Sequence, residues 1–371
     1  MKFRGVTWDH PRGFECMVAA SKTYAEQTGV KVSWDKRSLQ AFADAPIEQL
    51  AETYDFVVLD HPHVGIIAET GALLPLPFPE DTDASLGGSA ESYFWKDLCW
   101  AYAVDASCQM AAYRPDLTSR LPETWEQLAG SSGASFKPLT PLLPVDAIDM
   151  LMTLVAGRGE EALPFAPDRF VSHENGIYAL EVLKALYRLG PSEAVNMNPI
   201  KVLETLSTTD EFHCSPCLFG YVNYARPGFR EHALSYFDLP VSAGGGRRRG
   251  ILGGAGIGVS SRTAQPDAAI AFAKWVASEP VQSGVYLENE GQPANRHTWL
   301  NKRNDPTYSG FLDGSWNTIS EAWTRPREAW FLGFIDDVCE MLPAFFMQNQ
   351  SSEDFLQRMN TAYRHYINGA R

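Results

Sequence analysis

The sequence predicts an α/β protein with a parallel sheet and more than one domain, and three observations carry that prediction. Strand-like and helix-like segments alternate through the first hundred residues. The run Phe56-Val57-Val58-Leu59 is wholly apolar and bounded by Asp55 and Asp60, the pattern of a strand covered on both faces. The chain has 371 residues, against a usual domain size of about 150.

Each element follows from local pattern. Phe3 to Trp8 reads as a strand. Met17 to Thr28 places Val18, Ala19, Ala20, Tyr24 and Ala25 at helical spacing, and Gly29 ends it. Val30 to Trp34 is a second strand and Ile47 to Thr53 a short helix. Phe56 to Leu59 is the third strand, and Val64 to Thr70 is a helix closed by Gly71. A βαβαβ run of this kind folds as a parallel sheet with helices on its faces. Trp100 to Asp105 and Gln109 to Tyr113 are the next strands. Proline-punctuated loops lead to helices at Ala147 to Ala156, Asn175 to Leu189 and Pro199 to Thr208. Tyr236 to Asp238 lies in a strand, before a loop through Gly244 to Arg249. Ile257 to Ser260 is a strand, and Gln265 to Ser278 and Val281 to Asn289 are helices. Beyond Gly310 the pattern is helical, at Trp316 to Trp323, Phe334 to Met347 and Ser352 to Asn368.

Composition excludes several classes. Hydrophobic residues are 45% of the chain and charged residues 20%, enough apolar surface to bury and so not a disordered chain. The net charge of −14 lacks the basic footprint that nucleic acid or an anionic membrane requires. No apolar run approaches the length of a membrane-spanning helix. The chain opens Met1-Lys2-Phe3-Arg4-Gly5 and reaches charged sequence at once, without the apolar stretch of a secretory signal. Six cysteines are too sparse for a disulfide scaffold. The expectation is therefore a cytoplasmic protein, or a periplasmic one if a signal was removed or the start lies upstream.

In open α/β sheets ligands bind outside the carboxyl ends of the strands, where strand order reverses. For a 2-1-3 order the first and third strands are neighbours. Trp8, Asp9, His10 and Arg12 after the first should then meet Asp60, His61 and His63 after the third. Trp8 would stack on a ligand face, and the acids and histidines would bond hydroxyls. His10, Asp60, His61 and His63 are equally candidates for a metal or acid–base site, but His-Pro-His is not a zinc spacing, and no metal or cofactor is expected. Cys214-Ser215-Pro216-Cys217 is a lone Cys-x-x-Cys, which leaves Cys217 as a candidate nucleophile or ligand contact. Tyr221 and Tyr224, three apart, share one face. Gly253-Gly254-Ala255-Gly256 is backbone-permissive, with Gly254 a candidate amide donor. No Gly-Lys-Ser/Thr follows, so it is no phosphate loop. Arg325 and Arg327 form a pair suited to a carboxylate. The nucleophile elbow Gly-x-Ser-x-Gly and the motif His-Glu-x-x-His are absent.

Four blocks in order resemble the family 1 extracellular solute-binding proteins of ABC importers, the sugar-binding type. They are Tyr54 to Asp60 with Leu73-Leu74-Pro75-Leu76, then Tyr102 to Asp105 with Leu121-Pro122-Glu123-Thr124-Trp125, then His173-Glu174-Asn175-Gly176, then Gly253 to Val259 with Gly291-Gln292-Pro293-Ala294. The resemblance implies a two-lobe, type II periplasmic-binding-protein-like fold with a hinge and an interlobe cleft. Lobe I would be 1–107 and 257–302, lobe II 108–256 and 303–371. It puts Tyr102 and Asp105 at the hinge, Tyr221 and Tyr224 on the second lobe's cleft face, and Gln292 in a loop beside the cleft. The implied function is non-catalytic binding of a sugar, polyol or related polar ligand by a monomer that serves an ABC permease. The alternative is a cytoplasmic enzyme on the same scaffold. It would act on a small carboxylate-bearing substrate through His10, Asp60, His61, His63 or Cys217.

Overall fold

The computed structural model describes residues 1–39, 46–81, 83–118, 122–131, 137–160 and 168–369, so that Leu121 of the second block lies outside the described residues. The expected βαβαβ run is present as β1 (Lys2–Trp8), α1 (Pro11–Thr28), β2 (Lys31–Arg37), α2 (Ile47–Ala51), β3 (Phe56–Leu59) and α3 (Val64–Thr70). β1 pairs in parallel with both β2 and β3, which gives the 2-1-3 order. A small ribbon, β4 (Phe94–Trp95) with β5 (Leu98–Cys99), leads into β6 (Tyr102–Tyr113).

β6 is one strand where the sequence pattern gave two. Ala106, Ser107 and Cys108 are small enough to stay extended between its partners, and all are buried. Its register slips at Ala103/Asp105 and again at Met110/Ala112. Its first part pairs antiparallel with β9 (Leu252–Val259), its second with β7 (Cys214–Phe219) and β8 (Ser235–Phe237). The result is a seven-stranded sheet, β2-β1-β3-β9-β6-β7, with β8 also on β6.

β9 starts at Leu252 rather than Ile257. Its glycines look like loop in the sequence, but each sits where a neighbour fills the space of a side chain. A Cβ on Gly253 would lie 2.7 Å from the Phe219 ring, and one on Gly254 2.3 Å from the Asp105 carbonyl oxygen. Gly254 also has φ +112°, a conformation open mainly to glycine.

The remaining helices are α4 (Trp125–Ala129), α5 (Pro144–Gly157), α6 (His173–Leu189), α7 (Pro199–Thr208), α8 (Pro266–Val276), α9 (Glu279–Val281), α10 (Arg296–Lys302), α11 (Ser309–Leu312), α12 (Trp316–Ser320), α13 (Phe331–Met347) and α14 (Ser352–Gly369). The helix expected over Val281 to Asn289 is broken by a π-type turn, Gln282–Tyr286, with Gly284 at φ −112°, ψ −111°. Apolar residues of α5, α6, α13 and α14, among them Leu151, Leu183, Phe334 and Phe355, form one core. Phe3, Met17, Phe56 and Phe272 form another beneath β1, β3 and α8. Each such side chain, fully buried, contributes about 1.5–3 kcal/mol. Leu287, Ala294 and Trp299 pack with Leu218 and Tyr224 rather than against α8. Among the described residues no helix is long and apolar enough to cross a membrane.

Candidate functional site

β1 ends at Trp8, and His10 caps α1 by accepting the Arg12 amide on Nδ1 at 3.1 Å. That fixes the ring. Its Nε2 is buried and has no hydrogen-bond partner among the described residues. The ring meets Tyr221 edge-on at 4.9 Å between centroids, with Tyr224 at 6.3 Å. Arg12 runs beneath. Its Nε donates to Asp105 Oδ2 at 2.7 Å, its Nη2 to Asp105 Oδ1, and its Nη1 to the Gly220 carbonyl at 2.9 Å. The guanidinium lies 4.3 Å from the Tyr221 ring centre. Burial opposes the Arg12 charge, and Asp105 outweighs it, so the guanidinium holds its proton more tightly than usual. Gln292 closes this group. Its Nε2 donates to the Ala106 carbonyl at 2.7 Å, and its Oε1 accepts the Val222 amide at 2.8 Å.

A second group forms after β3. Asp60 caps the turn His61–His63 by accepting the His61 amide at 2.7 Å, and His61 Nδ1 lies 3.0 Å from the same oxygen. The other Asp60 oxygen accepts from Arg325 Nη2, while Arg325 Nη1 reaches Asp149 of α5 at 3.5 Å. One guanidinium therefore ties the end of β3 to α5. His61 Nε2 and Arg325 Nε are buried with no hydrogen-bond partner among the described residues. Asp146 stands one turn before Asp149, whose charge acts on it, and Asp146 in turn acts on Tyr221 of the first group.

Burial sets the proton state of the site. It pushes the His10 imidazole down to about 3 and that of His61 down to about 4, so both are neutral at pH 7. It raises the Asp149 carboxyl to about 6 and the Asp146 carboxyl well above the usual range, the latter with Asp149 adding to the effect. At Asp60 burial acts in the same upward sense, but Arg325 and His61 outweigh it and hold the carboxyl below the usual range.

His10, Arg12, Tyr221, Tyr224 and Gln292 thus share one group, and Asp60, His61 and Arg325 the other. His63 is buried in the same turn as His61. Other candidates stand elsewhere. Trp8 is 5% exposed, in the core, with its indole against Gly13, so it offers no stacking face. Asp9 turns outward to Lys36 at 2.8 Å. Tyr102 donates to the Pro77 carbonyl from within a core. Gly254 meets the backbone of β6. Arg327 is occupied by the carbonyls of Glu91, Ser92 and Phe94. Cys217 lies inside β7 rather than at a helix start. It is buried against Gln109 Oε1 at 3.4 Å, its thiol pushed well up by burial, which is the opposite of an activated nucleophile. Cys217 therefore supplies no activated nucleophile. Sequence reasoning missed Asp146 and Asp149. The available signal was two acids three apart in a helix otherwise almost wholly apolar, Pro144 to Gly157.

Solved structures resemble this one along its whole length. The GacH receptor of Streptomyces glaucescens GLA.O, solved unliganded and with acarbose, aligns over 99% of this chain and 98% of its own, with a TM-score of 0.80 at 15% identity. A solute-binding protein from Thermotoga lettingae bound to α-D-tagatose gives 0.80 at 15% identity, over 99% of both chains. One from Agrobacterium radiobacter K84 bound to ribitol gives 0.78 at 16%, over 98% of both. The fold is that of the two-lobe solute-binding proteins of ABC transporters. No protein-family model and no curated protein sequence matches the chain.

Proposed function

We propose that this protein is the ligand-binding component of an ABC importer and that it closes two lobes over a small hydroxyl-rich ligand. The observation that carries the reading is the set of buried atoms without a partner. His10 Nε2, His61 Nε2 and Arg325 Nε come from three separate elements and belong to two linked groups. Leaving buried polar groups unpaired costs about 1–3 kcal/mol each, so such a set is the mark of a site built to bond something else. Neutral imidazoles can both donate to and accept from sugar hydroxyls. The fold adds support, since the tagatose-, ribitol- and acarbose-bound proteins share it.

The moving bodies in this reading are residues 1–107 with 257–302, and 108–256 with 303–371. The packing of Leu287, Ala294 and Trp299 with Leu218 and Tyr224 argues for a second crossing before residue 287. The reading also implies a monomer that meets its permease outside the cytoplasmic membrane, with no nucleic acid among its partners.

A thermal-shift screen of neutral and amine-bearing sugars and polyols tests it. A true ligand at 100 times its dissociation constant adds about 2.7 kcal/mol to stability and raises the melting temperature by a few degrees. His61→Ala should abolish the shift. Turnover of a stabilising compound, or no shift with any compound in the panel, would overturn the proposal.

A further inference from the structure

The carboxyls of the site outnumber the guanidinium groups that face them. Asp60 and Arg325 face each other, and so do Asp105 and Arg12. Asp149 has only the shared, longer contact to Arg325 at 3.5 Å. Asp146 is 6% exposed, and its carboxyl receives no hydrogen bond from any described residue. His10 and His61 are neutral and add no positive charge. Asp149 on its own helix and Arg325 from the loop before α13 act electrostatically on Asp146, and Asp146 acts in turn on Cys217 of β7 and Tyr221 of the turn after it. Arg325 is the one cation acting on this pair of acids among the described residues, and Asp60 already holds it. Two buried carboxyls three residues apart, on one face of α5, thus have no cation of their own, and burial favours their protonated forms.

We infer that the ligand carries a protonated amine, an amino sugar or amino polyol, whose ammonium group seats against Asp146 and Asp149 while its hydroxyls meet His10 and His61. The inference rests on the importer reading above and narrows its ligand class. An ammonium lets such a carboxyl ionise in place, and charge-assisted hydrogen bonds are about twice as strong as neutral ones. A metal ion fits less well. No group of three or more His, Cys, Asp or Glu side chains among the described residues is placed to hold one. The net charge of −14 also raises the local concentration of cations around the protein.

Calorimetry on the full chain at pH 7.5 tests the inference, using matched pairs: D-glucosamine with D-glucose, D-galactosamine with D-galactose, and glucamine with sorbitol. In at least one pair the amine should bind ten-fold or more tighter than its hydroxyl counterpart. In D146N that preference should fall to about two-fold. D149N carries the same readout should D146N fail to fold. Neutral sugars binding as tightly as the amines would overturn the cationic ligand and leave the importer reading standing. A preference for the amine that survives in both D146N and D149N would overturn the assignment of the ammonium seat. Binding by neither class would overturn both readings.

Discussion

At the scale of single residues, burial decides which candidates can do anything. Arg12 and Asp105 are both buried and matched by geometry, so removing one should cost far more than replacing both. Arg12→Leu is expected to destabilise by about 3–5 kcal/mol, and Arg12→Leu with Asp105→Leu by much less. Urea midpoints of the two variants check this, and equal losses would show that the pair is not what the residues are for. His61 gives a pH signature. Its folded imidazole is depressed to about 4 against an ordinary 6.5. Between those values the unfolded chain takes up a proton that the folded chain refuses. Stability from this site is therefore present above pH 6.5 and lost as pH falls towards 4, by up to about 1.4 kcal/mol per pH unit. Asp149 acts in the opposite sense, since its folded carboxyl holds a proton up to about pH 6. Comparing H61Q with the parent at pH 7 and pH 5 cancels that contribution. The variant should lose less stability on acidification, and an identical loss in both would rule out a buried neutral His61.

At the scale of elements, the alternation through β3 was legible because period and punctuation agree there. Phe56 to Leu59 could only be a covered strand, and Gly29 and Gly71 end helices with positive φ in the structure. The 2-1-3 order places β1 and β3 side by side, which is why the turns that follow them, with His10, Arg12, Asp60 and His61, could be named from sequence alone. The packing of Trp8 against Gly13 was not legible, because strand-end position does not say which way an indole points. β9 was cut short because Gly253 and Gly254 look like loop unless the residues facing them are known. Asp146 and Asp149 were invisible to a search for motifs, since their meaning comes from what α5 packs against. The glycines of β9 give a direct test. Gly254→Ala combines a positive φ with a clash on the Asp105 carbonyl and should cost more than about 2 kcal/mol. Gly253→Ala meets only the Phe219 ring edge, at 2.7 Å, and should cost less. Chemical denaturation of the two variants should place them in that order, and the reverse order would mean that the strand backbone yields more easily than the ring.

At the scale of the whole molecule, the proposed closure predicts a measurable change of shape. Small-angle scattering should show a smaller radius of gyration with saturating ligand than without it, and no change would argue that the lobes do not move on each other. Arg325→Ala, which unties Asp60 from Asp149, should expand the unliganded protein relative to the parent. The sheet itself carries a further consequence. β6 belongs to both halves, pairing with β9 by its first residues and with β7 and β8 by its last. Neither half can melt without stripping partners from a strand the other half needs. Heat should therefore take the chain apart in one cooperative transition, with calorimetric and van't Hoff enthalpies equal, although the proposed closure moves two bodies.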